Sequence, residues 1–277
     1  MKRNLLLLAG LLSSAAFAAG GHGHGGEGAA AMRPAAWTDY PLLVTARTGD
    51  RGGVRVAAAN LVAPELDVYA PRDWDGAGHW KLPLAGGAEV KASPAVGNYH
   101  WLSARAEMPE YVAVATSTHY FGNPGPAPTG LLRARKNELE LIPQPLPREH
   151  AGYREGEEWT FLLRFDGQPL TGRKLTLETA NGSRAEFVTG QDGVAKVRFP
   201  ADFKSETAQA GGHGRRQAGF VLAAEYGAAG KTYLTTFNYS YSPGPYANRN
   251  LWTGVGFLAL GMMAAAPLLR RKKGEQA

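Results

Sequence analysis

Residues 139–200, LELIPQPLPREHAGYREGEEWTFLLRFDGQPLTGRKLTLETANGSRAEFVTGQDGVAKVRFP, restrict the fold more than any other stretch of this chain. Two runs rich in Thr, Leu and Phe, Glu158 to Phe165 and Lys174 to Thr179, are separated by Asp166-Gly167-Gln168-Pro169, which is hairpin punctuation. Further turns at Asn181-Gly182 and Gln191-Asp192-Gly193 follow. The alternation of Val194, Lys196 and Arg198 with Ala195, Val197 and Phe199 then predicts a sheet with one buried face. A segment so punctuated leaves no room for long helices and places the chain in the all-β class.

The two ends predict where such a sheet would reside. Met1, Lys2 and Arg3 precede an apolar run from Leu5 to Leu12 and the small-residue motif Ala16-Phe17-Ala18, the pattern of a secretory signal peptide over residues 1–18. Leu251 to Leu269 carries no charge over 19 residues and is followed at once by Arg270, Arg271, Lys272 and Lys273. As a helix this run is about 28 Å long, enough for one bilayer crossing. The basic residues after it place the tail 270–277 in the cytoplasm and the bulk of the chain in the periplasm, on an inner membrane. A buried core helix and a removable C-terminal sorting signal are the alternative readings of the run.

Charge has to be read without these ends. Lys2 and Arg3 account for two of the six net positive charges and the tail after Leu269 for a net three, which leaves +1 for the exported part. That balance gives no electrostatic support for a nucleic-acid partner. There is no Cys, which excludes disulfides, thiol catalysis and thiolate metal sites.

Short β runs separated by turns recur before the 139–200 stretch: Leu42 to Ala46, Val54 to Ala58, Leu66 to Tyr69, Trp80 to Leu84, Tyr99 to Arg105 and Tyr111 to Thr118. They predict a first β-sandwich over residues 37–121. A Pro/Gly-rich connector, 122–136, follows it. A second sandwich, 137–242, is closed by Phe220 to Glu225 and Thr232 to Tyr239, and 243–250 forms a stalk. Residues 19–36 lack large apolar groups and read as a flexible Gly/His-rich arm. The expectation is two β-sandwich domains in tandem, with a signal peptide before them and one C-terminal transmembrane helix behind.

The motif "DG-x-PL-x-G … DG-x-A-x-(V/F)-x-F-P" resembles the transthyretin-like, carboxypeptidase-regulatory-like β-sandwiches of bacterial surface proteins. With LELIPQP and GEEWTFLLRFDG before it, the chain is more narrowly similar to a periplasmic domain family associated with nickel and cobalt transport. The resemblance is strongest over 139–200 and modest over 99–128. A metal-free scaffold is a competing reading: a membrane-tethered module that positions a metal transporter subunit or an outer-membrane receptor through its sheet edges. Members of that family often start their mature domain with a His beside an aromatic residue; here the corresponding place reads Ala36-Trp37-Thr38-Asp39-Tyr40, so no ligand carries over.

No G-x-S-x-G, H-E-x-x-H, P-loop or motif-placed carboxylate pair occurs, and a non-enzymatic role is expected. Asp166 and Asp192 each precede Gly in a turn, where Asp is favoured for its local backbone bonds; calcium ligation is the competing reading. The histidines carry the metal hypothesis. His22 and His24 lie in GGHGHGGEG; cleavage after Ala19 would create Gly20-Gly21-His22, whose amine, two amides and imidazole suit Cu(II) or Ni(II). The A-x-A rule favours cleavage after Ala18, which displaces His22 by one place. A solvated arm with incidental histidines is the alternative.

His100 and His119 lie on two runs joined by a short connection, Ala106 to Glu110, and are expected to pair antiparallel. With Arg105 opposite Tyr111, the two imidazoles fall on opposite faces, and a shared Ni(II), Co(II) or Cu(II) ion would need a bulge or a shifted register. His79, His150 and His213 offer less. Trp74, Trp80 and Trp101, with Tyr99 and Tyr120, open a different function: flat rings that stack on sugars or on a protein partner, or simply fill a core.

Overall fold

The computed structural model describes residues 37–48, 52–71, 78–92, 97–122, 127–148, 151–203, 216–244, 258 and 260–265. The signal peptide, the arm with His22 and His24, most of the stalk, and most of the apolar run 251–269 lie outside the described residues. So do Trp74, His150 and His213. Leu258 and residues 260–265 are helical, and no helix among the described residues is long and apolar enough to cross a membrane.

The protein is mostly β. Its strands are β1 (Leu42–Arg47), β2 (Gly53–Ala59), β3 (Glu65–Tyr69), β4 (His79–Pro83), β5 (Ala88–Lys91), β6 (Tyr99–Met108), β7 (Tyr111–Tyr120), β8 (Leu139–Pro143) and β9 (Tyr153–Arg154). They continue with β10 (Glu158–Phe165), β11 (Gln168–Pro169), β12 (Lys174–Thr179), β13 (Arg184–Val188), β14 (Val194–Arg198), β15 (Ala218–Ala228) and β16 (Lys231–Ser242). One short helix, α1 (Thr129–Arg133), interrupts the connector.

Among the described residues the strands form three sheets, and the largest joins the two halves of the chain. Its order is β13-β12-β15-β16-β7-β6-β3-β4, with β9 also pairing β16. The join is parallel: Tyr111 to Thr116 of β7 lie beside Thr232 to Phe237 of β16. The segments 37–121 and 137–242 therefore share a sheet, where the sequence suggested a sandwich for each.

A four-stranded sheet of β8, β10, β11 and β14 packs on one face of this large sheet, and a three-stranded sheet, β1-β2-β5, packs on the other. Side-chain alternation along β6 makes the arrangement plain. Tyr99 and Trp101 belong to the core that also holds Leu141, Phe161, Leu163 and Val197, whereas Leu102 and Ala104 belong to the core with Leu43, Val54, Val56 and Val90. Strands buried on both faces read as continuous apolar or small-residue runs, which is why β6, β7, β15 and β16 lack clean alternation.

Polar side chains at the centre of the large sheet are used as fasteners. Thr116 donates to the carbonyl of Thr236 at 2.6 Å and Ser117 to that of Asn238 at 2.8 Å. Asn238 takes the place of a strand partner for β1: its Oδ1 accepts from the Leu43 N–H and its Nδ2 donates to the Leu43 carbonyl, both at 2.9 Å. Thr236 donates to the Pro41 carbonyl at 2.7 Å. These bonds satisfy buried polar groups and fix β1 over β16. On the same face, Trp37 packs over Gly219, where a Cβ would lie 3.2 Å from its ring.

Candidate functional site

The β6–β7 hairpin is longer than the sequence suggested, and this changes the relation of its two histidines. The strands extend to Met108 and Tyr111, leaving Pro109-Glu110 as a two-residue turn, so Met108 opposes Tyr111 and His100 opposes His119 directly. The expectation that the imidazoles fall on opposite faces is thus corrected: residues opposite one another in an antiparallel pair share a face, with Cβ atoms about 4.5–5.5 Å apart. The connection was misjudged because Ala106, Glu107 and Met108 look like loop residues. Glu107 stays in strand by binding Arg105 and Lys231, each at 2.6 Å.

The pair lies on the face that carries the smaller core. His100 is 0 % exposed, and His119 is partly exposed. Both imidazoles meet the Phe121 ring edge to face, at 4.9 Å for His100 and 4.5 Å for His119, and Trp80 meets His100 in the same manner at 5.7 Å. His100 Nδ1 lies 3.4 Å from the Asn98 carbonyl, which leaves Nε2 as the second ring nitrogen. That Nε2 is buried and has no hydrogen-bond partner among the described residues.

Both rings are held neutral. Burial pushes His100 down to about 4, and the neighbouring His119 pushes the same way, against the Asn98 carbonyl. His119 is lowered to about 4, first by burial and then by the Arg47 guanidinium. Two neutral imidazoles on one face are a pair of nitrogen donors, the form in which His binds metals. Among the described residues no group of three or more His, Cys, Asp or Glu is placed to hold a metal ion, so the pair stands without a carboxylate.

His79 sits across the large sheet from this pair. It stacks on Tyr69 with centroids 4.2 Å apart and meets Asp67 Oδ1 at 2.9 Å. Trp80 is partly buried against the smaller core, and Trp101 is 1 % exposed in the larger one. Trp101 is therefore corrected from a stacking candidate to a core residue; its ring is covered by the Lys136 ammonium at 4.8 Å and by Phe237. Tyr99 and Tyr120 do face one another, 4.8 Å apart, yet Tyr99 is also buried.

A buried ionic cluster at the connector was not anticipated. Glu140, between the core residues Leu139 and Leu141, receives Arg164 Nε at 2.8 Å and lies 3.7 Å from Lys136 Nζ. Lys136, whose side chain is 0 % exposed, donates to the carbonyls of Leu131 and Ala134, and Arg164 to those of Arg133 and Ala134. These bonds cap the last turn of α1. Burial lowers Lys136 to about 8, opposed by Glu140 and assisted by Arg164. A lone Glu inside an apolar run was the available signal, since a carboxylate at a core position demands cationic partners. At the two Asp-Gly turns, the side chain of Asp192 accepts from the Val194 N–H at 3.0 Å and Asp166 pairs with Arg135 at 3.0 Å.

At the far end of the same hairpin, a groove of about 680 Å³ is lined by Val62, Arg105, Met108, Tyr111 and Leu234, among others. Val62 is 95 % and Met108 49 % exposed there.

No family model and no curated protein matches the chain. Among solved structures, one of a 1.5-MDa bacterial ice-binding adhesin is similar at 12 % identity and a TM-score of 0.24, over 74 % of this chain and 64 % of the adhesin chain. The chain thus spans less than two thirds of that chain, and a likeness of this degree carries no argument about function.

Proposed function

We propose that this protein is a membrane-anchored, non-enzymatic accessory of transition-metal uptake or handling in the bacterial periplasm, its cargo being nickel or cobalt, as its resemblance implies, or copper. The observation that carries this reading is the pair His100 and His119, directly opposed on adjacent strands, neutral, and walled by Trp80 and Phe121. The ion is cargo: it enters on the partly exposed His119 side and is held by nitrogen donors until a transporter subunit or outer-membrane receptor accepts it. His22 and His24 of the arm would serve as first capture ligands. The C-terminal run 251–269 would hold the module at the membrane.

Calorimetric titration of the full chain in detergent with Ni(II), Co(II), Cu(II) and Cu(I) tests the proposal. Binding at micromolar affinity or tighter that is lost in His100→Ala and His119→Ala supports it. Loss only in His22→Ala/His24→Ala moves the site to the arm, and binding of no ion refutes metal handling.

A second reading is favoured by the groove beside Val62 and Met108. Exposed apolar side chains rimmed by Arg105 and Glu107 suit a metal-free scaffold that docks a protein or a glycan. Loss of partner capture in Met108→Asp with metal binding unchanged would support that reading.

A further inference from the structure

Resting on the reading of His100 and His119 as metal donors, we propose that the pair is a two-coordinate site for monovalent copper, Cu(I), and discriminates against Ni(II), Co(II) and Cu(II). The argument starts from how many donors the fold can bring to one point. Ni(II) and Cu(II) prefer four or more donors in tetragonal arrays, and Co(II) fills four to six positions, commonly with oxygen ligands or water. Here two imidazoles stand at directly opposed positions of adjacent strands, both against Phe121, and no described third His, Asp or Glu joins them. Of the ions that imidazole binds, only the d¹⁰ monovalent one is satisfied by two nitrogens.

The surroundings select in the same direction. The walls are aromatic: Phe121 meets both imidazoles edge to face, and Trp80 closes on His100. A strongly hydrated divalent ion entering such a place loses hydration that no oxygen ligand replaces, whereas a soft monovalent ion sheds water cheaply and is favoured beside aromatic faces. Charge adds to this. Among the described residues, a formally charged group acting on the pair is Arg47, exposed on β1 and felt by His119. A second positive charge on the ion doubles the repulsion from that guanidinium.

The buried Nε2 of His100 is the independent sign of a ligand. Polar atoms so completely removed from water are nearly always hydrogen-bonded, and leaving one bare is costly. Its ring is oriented from the other side by the Asn98 carbonyl at 3.4 Å, an arrangement common behind metal-bound histidines. His119, partly exposed, gives the ion its route.

The test is competition between the full chain and a chromophoric Cu(I) chelator under anaerobic conditions, run beside titrations with Ni(II), Co(II) and Cu(II). X-ray absorption at the copper edge reads the coordination number. The expected result is one Cu(I) per chain, bound at least about 100-fold more tightly than any divalent ion. Two nitrogen neighbours should appear at the metal, and affinity should fall by at least the same factor in His119→Ala. That variant sits at the exposed member of the pair, and an unchanged circular dichroism spectrum shows that it folds. Tight divalent binding that is lost in His119→Ala, with weak Cu(I) binding, overturns Cu(I) selectivity and leaves metal handling standing. A copper centre with four light-atom neighbours overturns the two-coordinate site. No binding of any ion overturns both.

Discussion

Acid should loosen this fold through its histidine pair, by an amount that follows from the site. Both folded-state values, about 4, lie below the 6.5 of a free imidazole. Between those limits the unfolded chain takes up protons that the folded chain refuses. Stability is therefore full above pH 6.5 and is lost progressively as pH falls toward 4. From about pH 7 to about pH 5, a shift of this size destabilises by about 2 kcal/mol per imidazole; His119 is partly exposed and contributes less, which brings the pair to about 3 kcal/mol. The assay is urea unfolding followed by tryptophan fluorescence at both pH values, for the natural chain and for His100→Leu/His119→Gln. The difference between the two pH values should shrink by about 3 kcal/mol in the double variant, since carboxylates and other groups cancel in the comparison. A double variant that keeps the full pH dependence would falsify the claim that these rings are stored neutral.

Three further expectations concern the frame. Glu140→Leu leaves Arg164 and Lys136 buried without their counter-ion and should destabilise by about 3–5 kcal/mol in urea unfolding; a change under 1 kcal/mol would show that the cluster is solvated. Asn238→Leu strands both backbone groups of Leu43, which should cost about 2–4 kcal/mol and abolish slow hydrogen exchange at the Leu43 amide; retained protection would mean that β1 is fixed by other contacts. Gly193→Ala places a methyl 2.7 Å from Pro169 Cβ at a φ of +74°, so a loss of at least about 1–3 kcal/mol is expected, and a neutral thermal melt would contradict the geometry of that turn.

Local structure was legible from the sequence where one face of a strand is wet. Residues 158–165 and 174–179 are strands over the expected bounds, because exposed Lys174 and the Asp166-Gly167 turn mark period and ends. It was less legible where both faces are covered. The tract from Tyr99 to Thr118 carries small and polar residues on either side, so periodicity could not fix where the hairpin turns, and a three-residue error moved His100 from beside His119 to across the sheet. The short β5 and α1 were missed for a related reason: four or five residues in Gly-, Ala- or Pro-rich sequence give too little pattern. The shared sheet had no local signature at all. Nothing in Tyr111 to Thr116 names Thr232 to Phe237 as its neighbour, since a parallel pairing is chosen by tertiary packing.

That parallel seam also sets an order of assembly. β7 and β16 meet across about 120 residues of chain, and β16 is the last strand among the described residues. Until it arrives, β7 offers an open edge in the middle of what will become the broadest sheet, and β15 lacks its neighbour. A chain emerging from its N-terminus, through a ribosome or a channel, can gather the β1–β2 and β6–β7 hairpins early but cannot close the sheet until residue 242 is free. Contacts of such separation form slowly. Cleavage in the connector would leave two complementary sticky edges in place of two modules. Those edges make the halves better suited to finding each other, or the wrong copy of each other, than to living alone.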